Sequence, residues 1–257
     1  MRYSFRNLAW EHKELKPQLQ ACFDQILHDS SFIHGPTNEI FENSFALFSG
    51  GSYGIGVSSG TDAISLTLKC LDIQQNDEVI TTPYTFVATL EAIEHIGAKP
   101  VLADVDEWGL LDVEKVEAAI THKTKAIIPV HLFGLPCHPK DFEALAKRNN
   151  LHLIFDAAQA HGTLYDNNSI AFYGDASTFS FMPAKTLGAL GDGGMVVTKN
   201  ETLAKRLKKL RDHGRVSKHE HDEVGYCNRL DHLQALFLLE KLKVLPKWGM
   251  FQAGLSL

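Results

Sequence analysis

The stretch KAIIPVHLFGLPCHPKDFEALAKRNNLHLIFDA, residues 125–157, decides the fold class. It opens and closes on short runs, AIIPV and LHLIF, that are almost continuously apolar, the pattern of strands covered on both faces. Between them PKDFEALAKRN has helical spacing and starts on a proline, a favoured first helical residue. Strand, helix and strand within about 30 residues is the unit of a parallel sheet.

The alternation extends outward from Gly54 to about Thr198. GIGVS, DEVITT, KPVLADV, DASTFSF and GGMVVT read as further strands, and DAISLTLKCL, FVATLEAIEHI and VEKVEAAI as further helices. The expected fold class is α/β, a mostly parallel central sheet with helices on both faces, whose ligand lies beyond the carboxyl ends of the strands. Upstream, Glu11 to Leu27 and Glu39 to Phe48 space their apolar residues as helices, with Leu15, Leu19, Phe23, Ile26 and Leu27 on one stripe. Gly35-Pro36 marks a turn, after which Thr37 or Asn38 offers an N-cap. Downstream come a charged helix, ETLAKRLKKLRDH, with a solvated KRLKKLR face, a polar loop near Lys218 to Glu223, and a last helix from about Leu230 to Leu245. The closing GMFQAGLSL looks like neither a capped helix nor a polar tail. The chain thus divides into an N-terminal helical segment (1–50), an α/β domain (51–215) and a C-terminal region (216–257).

Composition excludes several classes. A chain of 257 residues with 44% hydrophobic and 22% charged residues can bury a sizeable core and is neither disordered nor fibrous. The net charge of -6 gives no basic excess for nucleic acid. No apolar run is long enough for a membrane span, and MRYSFRNLAWEHKELK lacks the apolar core of a secretory signal. Cys22, Cys70, Cys137 and Cys227 are far apart, which suits reduced thiols and a cytoplasmic setting. His219 and His221 have H-x-H spacing without a third ligand nearby, so no metal site is expected. Gly54, Gly56 and Gly60 miss the G-x-G-x-x-G spacing, and no P-loop is present, which weakens a nicotinamide-dependent reductase.

Three segments can carry chemistry. In SSGTDAIS (58–65) a strand turns into a helix, and the N–H groups around Gly60, Thr61 and Asp62 suit a phosphate, although a plain turn capped by Ser59, Thr61 or Asp62 reads equally well. In LHLIFDAAQAHG, Asp156 ends a strand that reads as buried, where a carboxylate needs a cation or several N–H groups to meet it. In STFSFMPAKTLGALGDGG, Lys185 lies in a Pro/Gly-rich loop, with Ser180 five residues before it. A lysine there is either solvated or a nucleophile toward carbonyls. Together the three meet the requirements of pyridoxal phosphate: a phosphate cradle, a carboxylate that keeps the ring nitrogen protonated, and a lysine for the Schiff base. Phe86 in PYTFVATLEAI could stack on such a ring or fill the core. His131 and His161 lie at strand ends, and His161 is a candidate for substrate contact.

These stretches, with FIHGPTNEIFENSFALF and GYCNRLDHLQA and in this order from about Phe5 to Trp248, resemble the DegT/DnrJ/EryC1/StrS family of sugar aminotransferases. The resemblance implies the large domain of fold type I pyridoxal-phosphate transferases, with Lys185 as the Schiff-base and proton-transfer residue. It implies Asp156 on the pyridine nitrogen, Gln159 on the ring oxygen, Phe86 stacked, and Thr61 with the Gly60 and Asp62 backbone, together with Ser180, on the phosphate. Relatives with histidine in place of this lysine are dehydratases, so Lys185 favours transamination. The implied reaction moves an amino group from an amino acid, usually glutamate, to a nucleotide-linked keto sugar, in a homodimer with shared active sites. Two departures stand out. An asparagine that serves the neighbouring subunit's phosphate in the family is here Cys227, with Asn228 one position later. The C-terminal small domain of such enzymes is also expected to be largely missing, which motivates the alternative of an inactive remnant that keeps the fold.

Overall fold

The computed structural model describes residues 7–255, with side chains to Lys247. In chain order the elements are α1 (Leu8–Asp29), α2 (Pro36–Ser49), β1 (Tyr53–Val57), α3 (Gly60–Cys70), β2 (Glu78–Thr81), α4 (Ala88–His95), β3 (Lys99–Leu102), α5 (Val113–Ala119) and β4 (Thr124–Ile127). There follow α6 (Pro139–Asn149), β5 (His152–Asp156), β6 (Leu164–Tyr165), β7 (Asn168–Ser169), β8 (Ala176–Ser180), β9 (Gly194–Thr198), α7 (Glu201–Leu210) and α8 (His232–Leu255). Seven strands form one sheet in the order β1-β9-β8-β5-β4-β2-β3. Only β9 runs against its neighbours, pairing antiparallel with β1 and β8, while β8, β5, β4, β2 and β3 pair in parallel.

Side chains alternate across these strands and sort the core into two layers. Ile154 of β5, Ala126 of β4 with Ile128 just after it, and Val79 of β2 meet Ile64 and Leu68 of α3 and Ala92 and Ile93 of α4. Phe155 and Leu153, one step out of phase, meet Phe142 and Leu145 of α6 on the other face. Phe179 and Met195 pack there against Phe41 and Phe45 of α2 and Leu238 of α8. The same alternation points Asp156, in phase with Ile154, toward α3 and α4.

Three local readings are corrected, and one element is additional. The buried stripe of α1 is Leu15, Leu19, Cys22 and Ile26, packed on Leu236 and Phe237 of α8, whereas Phe23 and Leu27 face outward. At about 100° per residue, positions 23 and 27 lie one step past that stripe. The cap of α2 is Gly35, extended at φ −153°, with Pro36 first in the helix and Asn38 Oδ1 accepting the Gly35 N–H at 3.0 Å. The last helix continues past Leu245 to Leu255, with Pro246 inside it. Most of GMFQAGLSL is therefore helical backbone, while Phe5, at the start of the resemblance, and residues 256 and 257 lie outside the described residues. The β6–β7 hairpin was not expected; Asp166 and Asn167 at its tip both have positive φ, 48° and 61°, as the tightest hairpin turns require.

Two buried ion pairs join the outer helices to the sheet. Arg211, just after α7, bonds Glu42 of α2, and both hold the edge of Gly56: Glu42 accepts its N–H at 2.9 Å and Arg211 donates to its carbonyl at 2.7 Å. Lys241 of α8 is fully buried, with Nζ 2.6 Å from Glu11 of α1 and 2.5 Å from the Gly188 carbonyl. Replacing one partner leaves the other charge buried, so Lys241→Met is expected to destabilise the chain by about 3–5 kcal/mol. The double variant Glu11→Gln/Lys241→Met is expected to recover most of that loss, read from urea unfolding. A single-variant loss under about 1 kcal/mol would contradict a desolvated pair.

Candidate active site

The carboxyl ends of β5 and β8 and the start of α3 surround a cavity of about 290 Å³. Its shape depends on two glycines. A Cβ on Gly60 would stand 2.7 Å from Ser180 Cβ, and one on Gly194 would stand 2.2 Å from the Ser59 carbonyl oxygen. Only glycine lets the first turn of α3 approach β8 and β9 this closely. Ser59 is the N-cap, in extended conformation, and its hydroxyl accepts the Asp62 N–H at 3.0 Å while its carbonyl takes the Ala63 N–H. Ser59, Gly60 and Thr61 then line the cavity with Ser180 opposite, so the positive end of the α3 dipole faces it.

Asp156 forms the far wall. It is 6% exposed, its Oδ2 accepts the Thr89 hydroxyl at 2.8 Å, and its Oδ1 accepts the Ala158 N–H at 3.0 Å. Burial pushes its pKa up, against the opposing pull of the Ala158 N–H, the Thr89 hydroxyl and the Lys185 charge. The two donors therefore do not replace the lost water, and a protonated ring nitrogen meeting the carboxylate would supply what is lacking. Thr89 is steadied by Thr85, hydroxyl to hydroxyl at 3.0 Å.

Lys185 lies on the cavity wall in a tight turn in which its N–H bonds the Met182 carbonyl at 2.8 Å. A Cβ on Gly188 would come within 2.3 Å of the Pro183 oxygen, so this loop is as closely packed as the cradle. Phe86 stands at the mouth, 67% exposed, which excludes the reading of a core aromatic. Gln159 also lines the cavity, with Oε1 held by the Phe133 N–H at 2.9 Å. The residues present fit pyridoxal phosphate by their donor set: helix N–H groups and hydroxyls at one end, a desolvated carboxylate at the other, and a lysine between segments that form the wall.

Three expected residues do not reach the cavity wall. Asp62 turns away and accepts the Ser58 and Ser59 hydroxyls at 2.6 and 2.8 Å. Asn228 donates to Asp62 Oδ1 at 2.9 Å, and Cys227 beside it is exposed, with Arg229 Nη2 3.1 Å from its sulfur. His161, the candidate substrate contact, is buried among Phe45, Phe179 and Phe181, because the turn after Ala160 carries it under the sheet end into the core. His131 is likewise internal, stacked on Phe155, and burial pushes its pKa down to about 3. The sequence reading missed Thr85, Thr89, Met182 and Asp192, all on the wall. Thr85 precedes α4 and Thr89 lies in its first turn, so no shared periodicity marks the pair. Asp192 lies in a glycine turn, also without periodicity.

Comparison with known proteins agrees with this fold. The model of the DegT/DnrJ/EryC1/StrS aminotransferase family matches residues 13–251. The UDP-N-acetyl-3-dehydro-alpha-D-glucosamine 3-aminotransferase of Acidithiobacillus ferrooxidans is 45% identical over 87% of this chain and 61% of its own. The crystal structure of S. venezuelae DesV in complex with a ketimine intermediate superposes with a TM-score of 0.96 at 39% identity, over 99% of this chain and 69% of that one. The Bacillus subtilis NtdA structure with bound cofactor PMP gives 0.86 at 34% identity, over 90% and 53%. The chain thus spans between about half and just over two thirds of the length of these relatives. On the family match and these identities, the chain belongs to the DegT/DnrJ/EryC1/StrS aminotransferase family.

Proposed function

We propose that this chain is a pyridoxal-phosphate-dependent aminotransferase that moves an amino group from an amino acid, glutamate by preference, to a nucleotide-linked keto sugar. The family depends on this cofactor. The observation that carries the reading to this chain is the enclosure of Lys185, Asp156 and the α3 N-terminus in one cavity. The keto-sugar acceptor is supported by the UDP-sugar named for the Acidithiobacillus relative.

When bound, the cofactor supplies an electron sink for charge that develops on the substrate carbon. The protein's part is binding, orientation and proton movement. The Gly60 and Thr61 N–H groups and the Thr61 and Ser180 hydroxyls hold the phosphate. Asp156, ionised once a cation faces it, keeps the ring nitrogen protonated, and Thr89 fixes the carboxylate that does so. Phe86 and Gln159, both on the cavity wall, would hold the ring by stacking and by a hydrogen bond to its oxygen. Lys185 would hold the cofactor through its amine and, once that amine is free, would move a proton at the substrate carbon. Phe86, Tyr84, Val87 and Phe133 leave an apolar rim exposed near this mouth, and a second copy of the chain is the proposed cover.

Three measurements test the reading. Pyridoxal phosphate is expected to give a visible absorbance band that borohydride abolishes, leaving a pyridoxyl label on Lys185; Lys185→Ala should form no adduct and lose turnover by about 10³-fold or more. A label elsewhere would refute the assignment. Amine transfer from glutamate to a panel of nucleotide-linked keto sugars then separates an active enzyme from the inactive remnant, which would form the adduct and transfer nothing. For Asp156, the raised pKa means that the folded apo chain binds the proton more tightly than the unfolded chain. Stability is thus lost as pH rises through the ordinary carboxylate range toward the raised value. Asp156→Asn carries no such charge, so it is expected to melt higher than the wild-type apo chain at neutral pH while turnover falls by about 10²–10³-fold. A variant that melts lower at neutral pH would contradict the buried-charge account.

A further inference from the structure

We infer that Asn228 is a positioning residue of its own chain's phosphate cradle, acting through Asp62. The inference rests on the proposal that the cofactor phosphate lies at the α3 N-terminus. A carboxylate in the first turn of that helix competes with a phosphate for the same positive end and repels it. Asp62 occupies that turn, yet it is absent from the cavity wall that Ser59, Gly60 and Thr61 form.

Three donors account for this. Oδ2 takes both the Ser58 and Ser59 hydroxyls, and Oδ1 takes the Asn228 amide. The Ser58 and Ser59 hydroxyls each turn about one short side-chain bond and would swing with the carboxylate if it rotated. Asn228 would not, because its backbone is fixed at both ends: its N–H bonds the Arg211 carbonyl at 2.9 Å, and its carbonyl takes the Ser58 N–H at 3.3 Å. Arg211 is in turn locked by Glu42 and the Gly56 carbonyl, and Val57 bridges to Arg229. The Asn228 amide is therefore the immobile donor that holds Oδ1 behind the helix end. It works without touching the cofactor and without a neighbouring subunit, unlike the role that the family resemblance implies for the asparagine at the position of Cys227.

The test compares ligands that differ only in phosphate. Asn228→Ala is expected to weaken pyridoxal phosphate and inorganic phosphate by about tenfold, the effect of one hydrogen bond to a charged group, and to leave unphosphorylated pyridoxal within about twofold. In the Asp62→Asn background the same substitution should have little effect on phosphate affinity, since the charge it controls is gone. Equal weakening of pyridoxal phosphate and pyridoxal would reduce Asn228 to a purely structural role and overturn the inference. So would an undiminished Asn228→Ala effect in Asp62→Asn. Mixing Lys185→Ala with Asn228→Ala chains distinguishes action across subunits: mixed dimers that regain full pyridoxal phosphate affinity at their intact lysine would overturn it, and no regain is expected. Failure of the wild type to form any Lys185 adduct would instead refute the cofactor reading, and the inorganic phosphate titration would still decide the role of Asn228.

Discussion

A carboxylate buried at the end of the central strand organises this molecule. β5 is the fourth of seven strands, so its last residue, Asp156, has parallel neighbours on both sides and is 6% exposed at the cavity wall. Desolvation there is unfavourable, and the surrounding elements answer it in parts: α4 with Thr89, the following turn with the Ala158 N–H, and the β8–β9 loop with the charge of Lys185. None neutralises it fully, which is why the pKa stays raised. The proposed protonated ring nitrogen would reach this carboxylate from the carboxyl ends of the strands, where the cavity lies.

The opposite end of the cavity is governed by contact distance more than by charge. Gly60 and Gly194 bring three backbones together where a methyl group on either would collide. That approach seats the first turn of α3 directly against the ends of β8 and β9. Charge and sterics thus constrain the two ends independently, and Lys185 sits on the loop between β8 and β9, the two strands that the glycines admit.

Most of the sheet was legible because its signals are local. Each of the seven main strands is a short apolar or β-branched run, and the parallel core follows from helices placed between them. The hairpin at 164–169 escaped because its strands are two residues each, too short for periodicity, and only Asp166-Asn167 marks the turn. The α1 stripe was misplaced by a single helical step, which a partner helix decides and local spacing does not. In the site, residues that bear obvious chemistry, Lys185 and Asp156, were found from type and place. Thr89 was not, since a hydroxyl gains meaning only when a carboxylate 67 residues away is brought within 2.8 Å. His161 misled for the converse reason: adjacency to Asp156 in sequence says nothing of direction after a turn.

The buried ion pairs fit the same division of labour. Hydrophobic contacts hold the helices to the sheet, but they are non-directional and tolerate small slides. Lys241 and Arg211 instead donate to single backbone carbonyls, Gly188 in the lysine loop and Gly56 in the strand that leads to the cradle. Each therefore converts the packing of an outer helix into the placement of one loop at the cavity. Buried charges of this kind add little net stability compared with apolar side chains of equal volume. Their occurrence at the two joints that set the position of Lys185 and of the α3 N-terminus makes orientation, not stability, the property they contribute.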